Sequence, residues 1–108
     1  MKANSLSFYS LEKSYYTDGI TLKENIREAM RKVNFKNIEE SNYEFTGLTL
    51  PSLSSFSERV TVDFIQLDQN EYLVEFESKC LFPFQIFDWG KNRRNCDRFF
   101  KCLDSLNY

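Results

Sequence analysis

Apolar and polar residues alternate with a period of two in five places along this chain, and recur with a helical period in two. "SLSFYS" (Ser5–Ser10) sets Leu6 and Phe8 against small polar residues and reads as a first strand. "TLKE" (Thr21–Glu24) has the spacing of a capping box. Behind it Leu22, Ile26, Ala29, Met30 and Val33 share one helical face, with Lys23, Glu24, Arg27 and Arg31 opposite. That helix should end near Asn34, a residue that tolerates a left-handed conformation.

"FKNIEE" and "YEFTGLTL" read as the arms of a hairpin turning at Ser41–Asn42, which sets Ile38 opposite Phe45. Apolar positions change phase across Gly47, which suggests a bulge or bend there. After a Ser-rich loop (Pro51–Ser57, with Leu53 and Phe56), "ERVTVDFIQL" and "YLVEFESK" form a second hairpin. A three-residue loop, Asp68-Gln69-Asn70 with Asn70 left-handed, pairs Phe64 with Val74 and Val62 with Phe76, so that the apolar faces agree. A last helix starts near Asp88 to Lys91 and carries Cys96, Phe99, Phe100, Leu103 and Leu106 on one stripe. The order is β-α-β-β-β-β-α. One apolar face per strand and one stripe per helix predict an α+β fold in which both helices pack on one face of an antiparallel sheet, the face bearing Val60, Val62, Phe64, Val74 and Phe76.

Composition adds three restrictions. A length of 108 residues predicts a single domain spanning the chain, and eleven Phe with six Tyr supply a core. No histidine is present, which removes most catalytic dyads and the commonest metal ligand. Cys80, Cys96 and Cys102 are odd in number and lack metal-site spacing, so they read as reduced thiols. The N-terminal stretch lacks the apolar region of a signal peptide and no segment is long enough to span a bilayer, so the expected compartment is the cytoplasm, with no membrane partner.

Charge is unevenly spread. Nine acidic residues and one basic one lie between Glu39 and Glu77; five basic residues and one acidic one lie between Lys91 and Lys101. Asp63, Glu75 and Glu77 fall on the sheet face away from the helices, which argues against DNA binding through that face. Lys91, Arg94, Arg98 and Lys101 fall within an arc of about 80° on the last helix at 100° per residue. This stripe suits a phosphate or an acidic partner. A solvated helix face is the more ordinary reading, because Asp97 and Asp104 lie beside it and dilute it.

"ESKCLFPFQIFDWGKNRRNCDRFFKCL" resembles the C-terminal signature of a family of small uncharacterised bacterial α+β proteins, S-x4-P-x-Q-x2-D-W-G-K-N-x2-N. Here the pattern falls on Ser78, Pro83, Gln85, Asp88, Trp89, Gly90, Lys91, Asn92 and Asn95. The family has a smaller side chain where this chain has Phe84, and the resemblance implies no activity. The element order is also similar to a TATA-binding-protein half-domain and, more loosely, to helix-grip ligand-binding folds.

The only tryptophan, Trp89, is either a stacking surface for a ligand or a peg that fastens the last helix, with Asp88 as its N-cap. The frequent burial of indoles favours the peg. The function expected is that of a small non-enzymatic binding or interaction domain, without cofactor or metal. Its site would be the loop Gln85–Asn92 and the adjacent helix start, with Gln85, Asp88, Trp89, Lys91, Asn92, Arg94 and Arg98 as candidates for contact with a protein or a small ligand. The alternative is a cofactor-free enzyme, or a carrier of a small apolar or anionic ligand, with Asp88 or the pair Glu75 and Glu77 in a pocket. Ile65, Leu67 and Leu73 form an apolar patch on the outer sheet face, which the Pro51–Ser57 loop or a second copy of the chain would cover.

Overall fold

A computed structural model describes residues 8–49, 58–81 and 90–107. The elements are β1 (Phe8–Tyr16), α1 (Gly19–Lys32), β2 (Lys36–Glu40), β3 (Glu44–Leu48), β4 (Glu58–Asp68), β5 (Glu71–Cys80) and α2 (Lys91–Leu106). The five strands form one antiparallel sheet in the order β1-β5-β4-β3-β2. The chain therefore starts on one edge, crosses to the other through α1, and returns by successive hairpins until β5 lies beside β1.

Both helices pack on the face predicted for them. Val60, Val62, Phe64, Val74 and Phe76 are buried against Leu22, Ile26, Ala29 and Met30 of α1 and Cys96, Phe99, Phe100 and Leu103 of α2. Aromatic rings fill the space between the layers: Phe76 stacks on Phe99 at 5.1 Å and also meets Phe100 and Phe35 at 6.1 and 6.2 Å. Burial holds the Cys96 thiol protonated, its pKa pushed up to about 12, with Asp97 adding to the effect. All three cysteines are reduced thiols, as expected.

The β4–β5 register is the expected one, Phe64 opposite Val74 and Val62 opposite Phe76, but it is reached differently. Asp68 pairs with Glu71 across a two-residue turn, and the extra residue is absorbed by a bulge between Gln66 and Asp68. Asn70 accordingly lacks the left-handed conformation that a three-residue loop required; Asn34 and Asn37 are the non-glycine residues with positive φ among those described. In the β2–β3 hairpin, Phe45 pairs with Glu40 rather than Ile38, because the turn falls one residue later than expected: Ser41 N–H donates to the Glu44 carbonyl at 2.8 Å. The irregularity also lies in β2, between Lys36 and Glu39, with Asn37 at φ 52°, and not at Gly47. Gly47 answers a close approach instead. A Cβ there would sit 3.3 Å from the end of Met30 and 3.4 Å from the Lys36 carbonyl and the Phe35 Cβ.

The N-cap of α1 is Asp18, three residues before the expected Thr21. Its carboxylate accepts from both the Thr21 N–H and the Thr21 hydroxyl at 2.8 Å, and these bonds hold its pKa below the usual carboxylate value. The other end matches expectation. Asn34 takes φ 67°, Phe35 N–H reaches the Met30 carbonyl and Asn34 N–H the Arg31 carbonyl, both at 3.0 Å, in a Schellman arrangement. This turn brings Val33, Asn34 and Phe35 beside α2. Residues 5–7 of the expected first strand lie outside the described residues, and β1 continues to Tyr16.

Candidate functional site

α2 begins after Gly90, which is its N-cap in place of the expected Asp88; a φ of 75° suits glycine, and no side chain caps the helix. The first turns of α2 carry asparagines on the inward face, where a purely apolar stripe would be the simpler solution. Asn92 and Asn95 are both buried, and so are Ser78 of β5 and Glu58 of β4. Glu58 is in phase with Val60, Val62 and Phe64, so the strand itself carries its carboxylate under α2.

These groups satisfy one another. Ser78 Oγ donates to Asn92 Oδ1 at 2.7 Å, and Asn92 Nδ2 lies 3.5 Å from Cys80 Sγ. Asn95 Nδ2 donates to Glu58 Oε1 at 3.0 Å and to Ser78 Oγ at 3.1 Å. Thr49 Oγ1 donates to Glu58 Oε1 at 2.9 Å and accepts from the Glu58 N–H at 2.9 Å. Among the described residues, no buried side-chain nitrogen or oxygen lacks a partner. Ser78, Asn92 and Asn95 all fall in the C-terminal stretch singled out in the sequence, and this network is where they meet.

Above the network lies an open cleft of about 370 Å³. Val33, Asn34 and Phe35 of the α1 turn form one wall; Lys91, Arg94, Asn95 and Arg98 of α2 form the other; Thr49 and Glu58 lie at its base. Glu58 is the only acid among the described lining residues, and its Oε1 already accepts from Thr49 and Asn95. Arg98 Nη2 lies 3.4 Å from the Val33 carbonyl, an interaction that the negative end of α1 favours.

The expected dilution of the basic stripe does not occur. Asp97 faces Arg93 at 3.8 Å. Asp104 is drawn to β1, where it pairs with Lys13 at 2.7 Å and accepts from the Tyr15 hydroxyl at 2.6 Å. Burial and the Asp104 bond hold Tyr15 neutral, its pKa well above the ordinary phenol value. Both aspartates therefore stand on the β1 flank of α2, while Lys91, Arg94, Arg98 and Lys101 occupy the α1 flank.

Of the residues singled out in the sequence, Lys91, Arg94 and Arg98 come together on the cleft. Asn92 is fully buried, below the lining rather than on it. Gln85, Asp88 and Trp89 lie outside the described residues, as does the Pro51–Ser57 loop. Ile65 and Leu67 stand on the outer sheet face, 61% and 52% exposed, with Leu73 half-buried opposite Ile65. Next to them Glu12, Glu75, Asp63 and Glu44 pair directly from strand to strand, a carboxylate row across β1, β5, β4 and β3 that opposes a phosphate backbone. Glu75 and Glu77 share this outer face and do not line the cleft.

Among the described residues, no group of three or more Cys, Asp or Glu is arranged to hold a metal, and no helix is long and apolar enough to cross a membrane. Glu58, Thr49 and Asn95 were missed as site residues. Two signals pointed to Glu58 and Asn95, an acid in the apolar phase of a strand and an Asn-x-x-Asn pair inside an apolar helical stripe, and none to Thr49.

No protein-family model matches the chain, and no curated protein does. Among solved structures it is similar to a START superfamily protein from Mycobacterium smegmatis, with a TM-score of 0.57 and 9% identity over 92% of this chain and 95% of that one. At this identity the likeness is one of fold, and the fold is of the helix-grip kind.

Proposed function

We propose that this protein is a small non-enzymatic binding domain that takes an anionic ligand in the cleft between the α1 turn and the first turns of α2. The observation that carries this reading is the convergence of Lys91, Arg94 and Arg98 on a cleft whose one acid among the described lining residues is tied into a buried hydrogen-bond network. Guanidinium groups bind carboxylates and phosphates through paired N–H donors, so two arginines on adjacent turns of a helix suit such a ligand. The filled core supports a surface cleft over an interior cavity. Titration with inorganic phosphate, followed by calorimetry or amide NMR shifts, should give saturable binding with shifts at Arg94, Asn95 and Arg98. Both arginines are exposed, so Arg94→Ala with Arg98→Ala should leave the melting temperature nearly unchanged and weaken phosphate at least about tenfold, the equivalent of losing one charge-assisted contact. Equal affinity in the variant and the parent overturns the reading.

A second reading, self-association, is favoured by the exposure of Ile65 and Leu67 near the β4–β5 turn, where Tyr16 is also exposed. The neighbouring carboxylate row opposes full stacking of two outer faces, so the contact would be confined to the tip. Light scattering at micromolar concentration should then report about twice 12.9 kDa, and Leu67→Lys should restore the monomer. A parent protein that stays monomeric at every accessible concentration sinks this reading.

A further inference from the structure

The cleft continues past Arg98. A second depression of about 420 Å³ is lined by Lys32, Val33, Asn34, Arg98, Lys101, Cys102 and Ser105. It shares Val33, Asn34 and Arg98 with the first cleft, so the two form one groove between the C-terminal turn of α1 and the flank of α2. No acid is among the described residues that line this second part. Lys91, Arg94, Arg98 and Lys101 recur at helical spacing along it, and Lys32 adds a fifth cation from the opposite wall. From Arg94 to Lys101 the helix rises about 10 Å, at 1.5 Å per residue.

A single small anion engages one end of such a groove and leaves the cations at the other end repelling one another. A linear ligand with several anionic groups relieves that repulsion along the whole length. The wall chemistry narrows the class further. Phe35 is the one aromatic among the described lining residues, and it is only 3% exposed, so no ring is offered to stack a nucleobase. The recognisable feature is therefore a chain of phosphates, without a stacked base.

We infer that the groove binds a linear oligophosphate laid along α2, with one end at Arg94, the middle at Arg98 and the other end at Lys101 and Lys32. This deepens the anion-binding reading above and rests on it. Arg98 is the shared contact: it lines both parts of the groove, and its 3.4 Å interaction with the Val33 carbonyl holds the side chain at their junction.

The test compares inorganic tripolyphosphate with orthophosphate on the full chain by calorimetry at fixed ionic strength. Tripolyphosphate should bind at least about tenfold tighter, the difference of one added charge-assisted contact. Lys101→Ala should weaken tripolyphosphate severalfold and leave orthophosphate unchanged, whereas Arg94→Ala should weaken both. Lys23→Ala makes the same change in net charge on α1 outside this groove and should alter neither. A nucleoside triphosphate should bind no tighter than tripolyphosphate; tighter binding would overturn the exclusion of base contacts. Equal affinity for the two phosphates, or equal losses in Lys101→Ala and Lys23→Ala, overturns the oligophosphate inference. Orthophosphate binding that depends on Arg94 would then leave the simpler anion reading standing, and absence of all phosphate binding removes both.

Discussion

Truncation of Phe76 to alanine is expected to destabilise the protein by about 3–5 kcal/mol, the cost of removing a large aromatic from a packed core. Phe76 is fully buried on β5, between the sheet and both helices, with Val62 beside it on β4. Its ring meets Phe35 after the α1 turn and Phe99 and Phe100 of α2, so a single deletion opens a gap that three other rings border. Phe99 and Phe100 are fixed on α2 and Phe35 follows α1, so they cannot close the gap without moving the helices. A domain of this size has a total stability of about 5–15 kcal/mol. A loss of this magnitude should therefore lower the melting temperature by well over about 10 °C. Urea unfolding would measure it directly. A change below about 1 kcal/mol would mean that the rings do not form the packed layer described, and that a ligand cavity between helices and sheet is open after all. Phe76→Leu, which retains most of the volume, should cost clearly less.

The legibility of this fold varies with how local its physics is. The β4–β5 pairing was readable because Val60, Val62 and Phe64 alternate on one side and Val74 and Phe76 answer on the other. A slip of one residue would turn all of them away from the helices. The bulge at Leu67 was not readable, because a bulge and a longer loop leave the same apolar faces in agreement. The first strand was harder still. Its helix-facing positions include Lys13 and Tyr15, whose inward placement depends on Asp104, 91 and 89 residues away. Without that partner Lys13 reads as a solvent residue and breaks the alternation. The same distant pairing hid the basic groove. Helical spacing correctly put Lys91, Arg94, Arg98 and Lys101 on one arc, but only the fold shows that Asp97 and Asp104 are drawn to its far side. The C-terminal pattern through Ser78, Asn92 and Asn95 was visible without a role, because the fourth member of their hydrogen-bond network, Glu58, lies on β4, outside that pattern.

That fourth member makes Asn95 the position where a small change should have a large effect. Asn95→Ala removes the amide that donates to both Glu58 Oε1 and Ser78 Oγ. Glu58 is fully buried at the base of the cleft, and a buried carboxylate that loses a donor must either be rehydrated at a cost or remain one bond short. Leaving a buried polar group short of a partner costs about 1–3 kcal/mol, and more when the group is charged, so a loss of about 3 kcal/mol is expected. Cavity formation alone would also destabilise the variant, so the measurement that separates the two causes is a double-mutant cycle. In a Glu58→Leu background the carboxylate is gone, and Asn95→Ala should then cost only about 1 kcal/mol. The resulting coupling of about 2 kcal/mol lies well outside the range of about 0.5 kcal/mol within which independent sites add. Additive losses within that range would mean that Glu58 and Asn95 are neighbours without a functioning hydrogen bond, and that the base of the cleft is held by packing of α2 on the sheet alone.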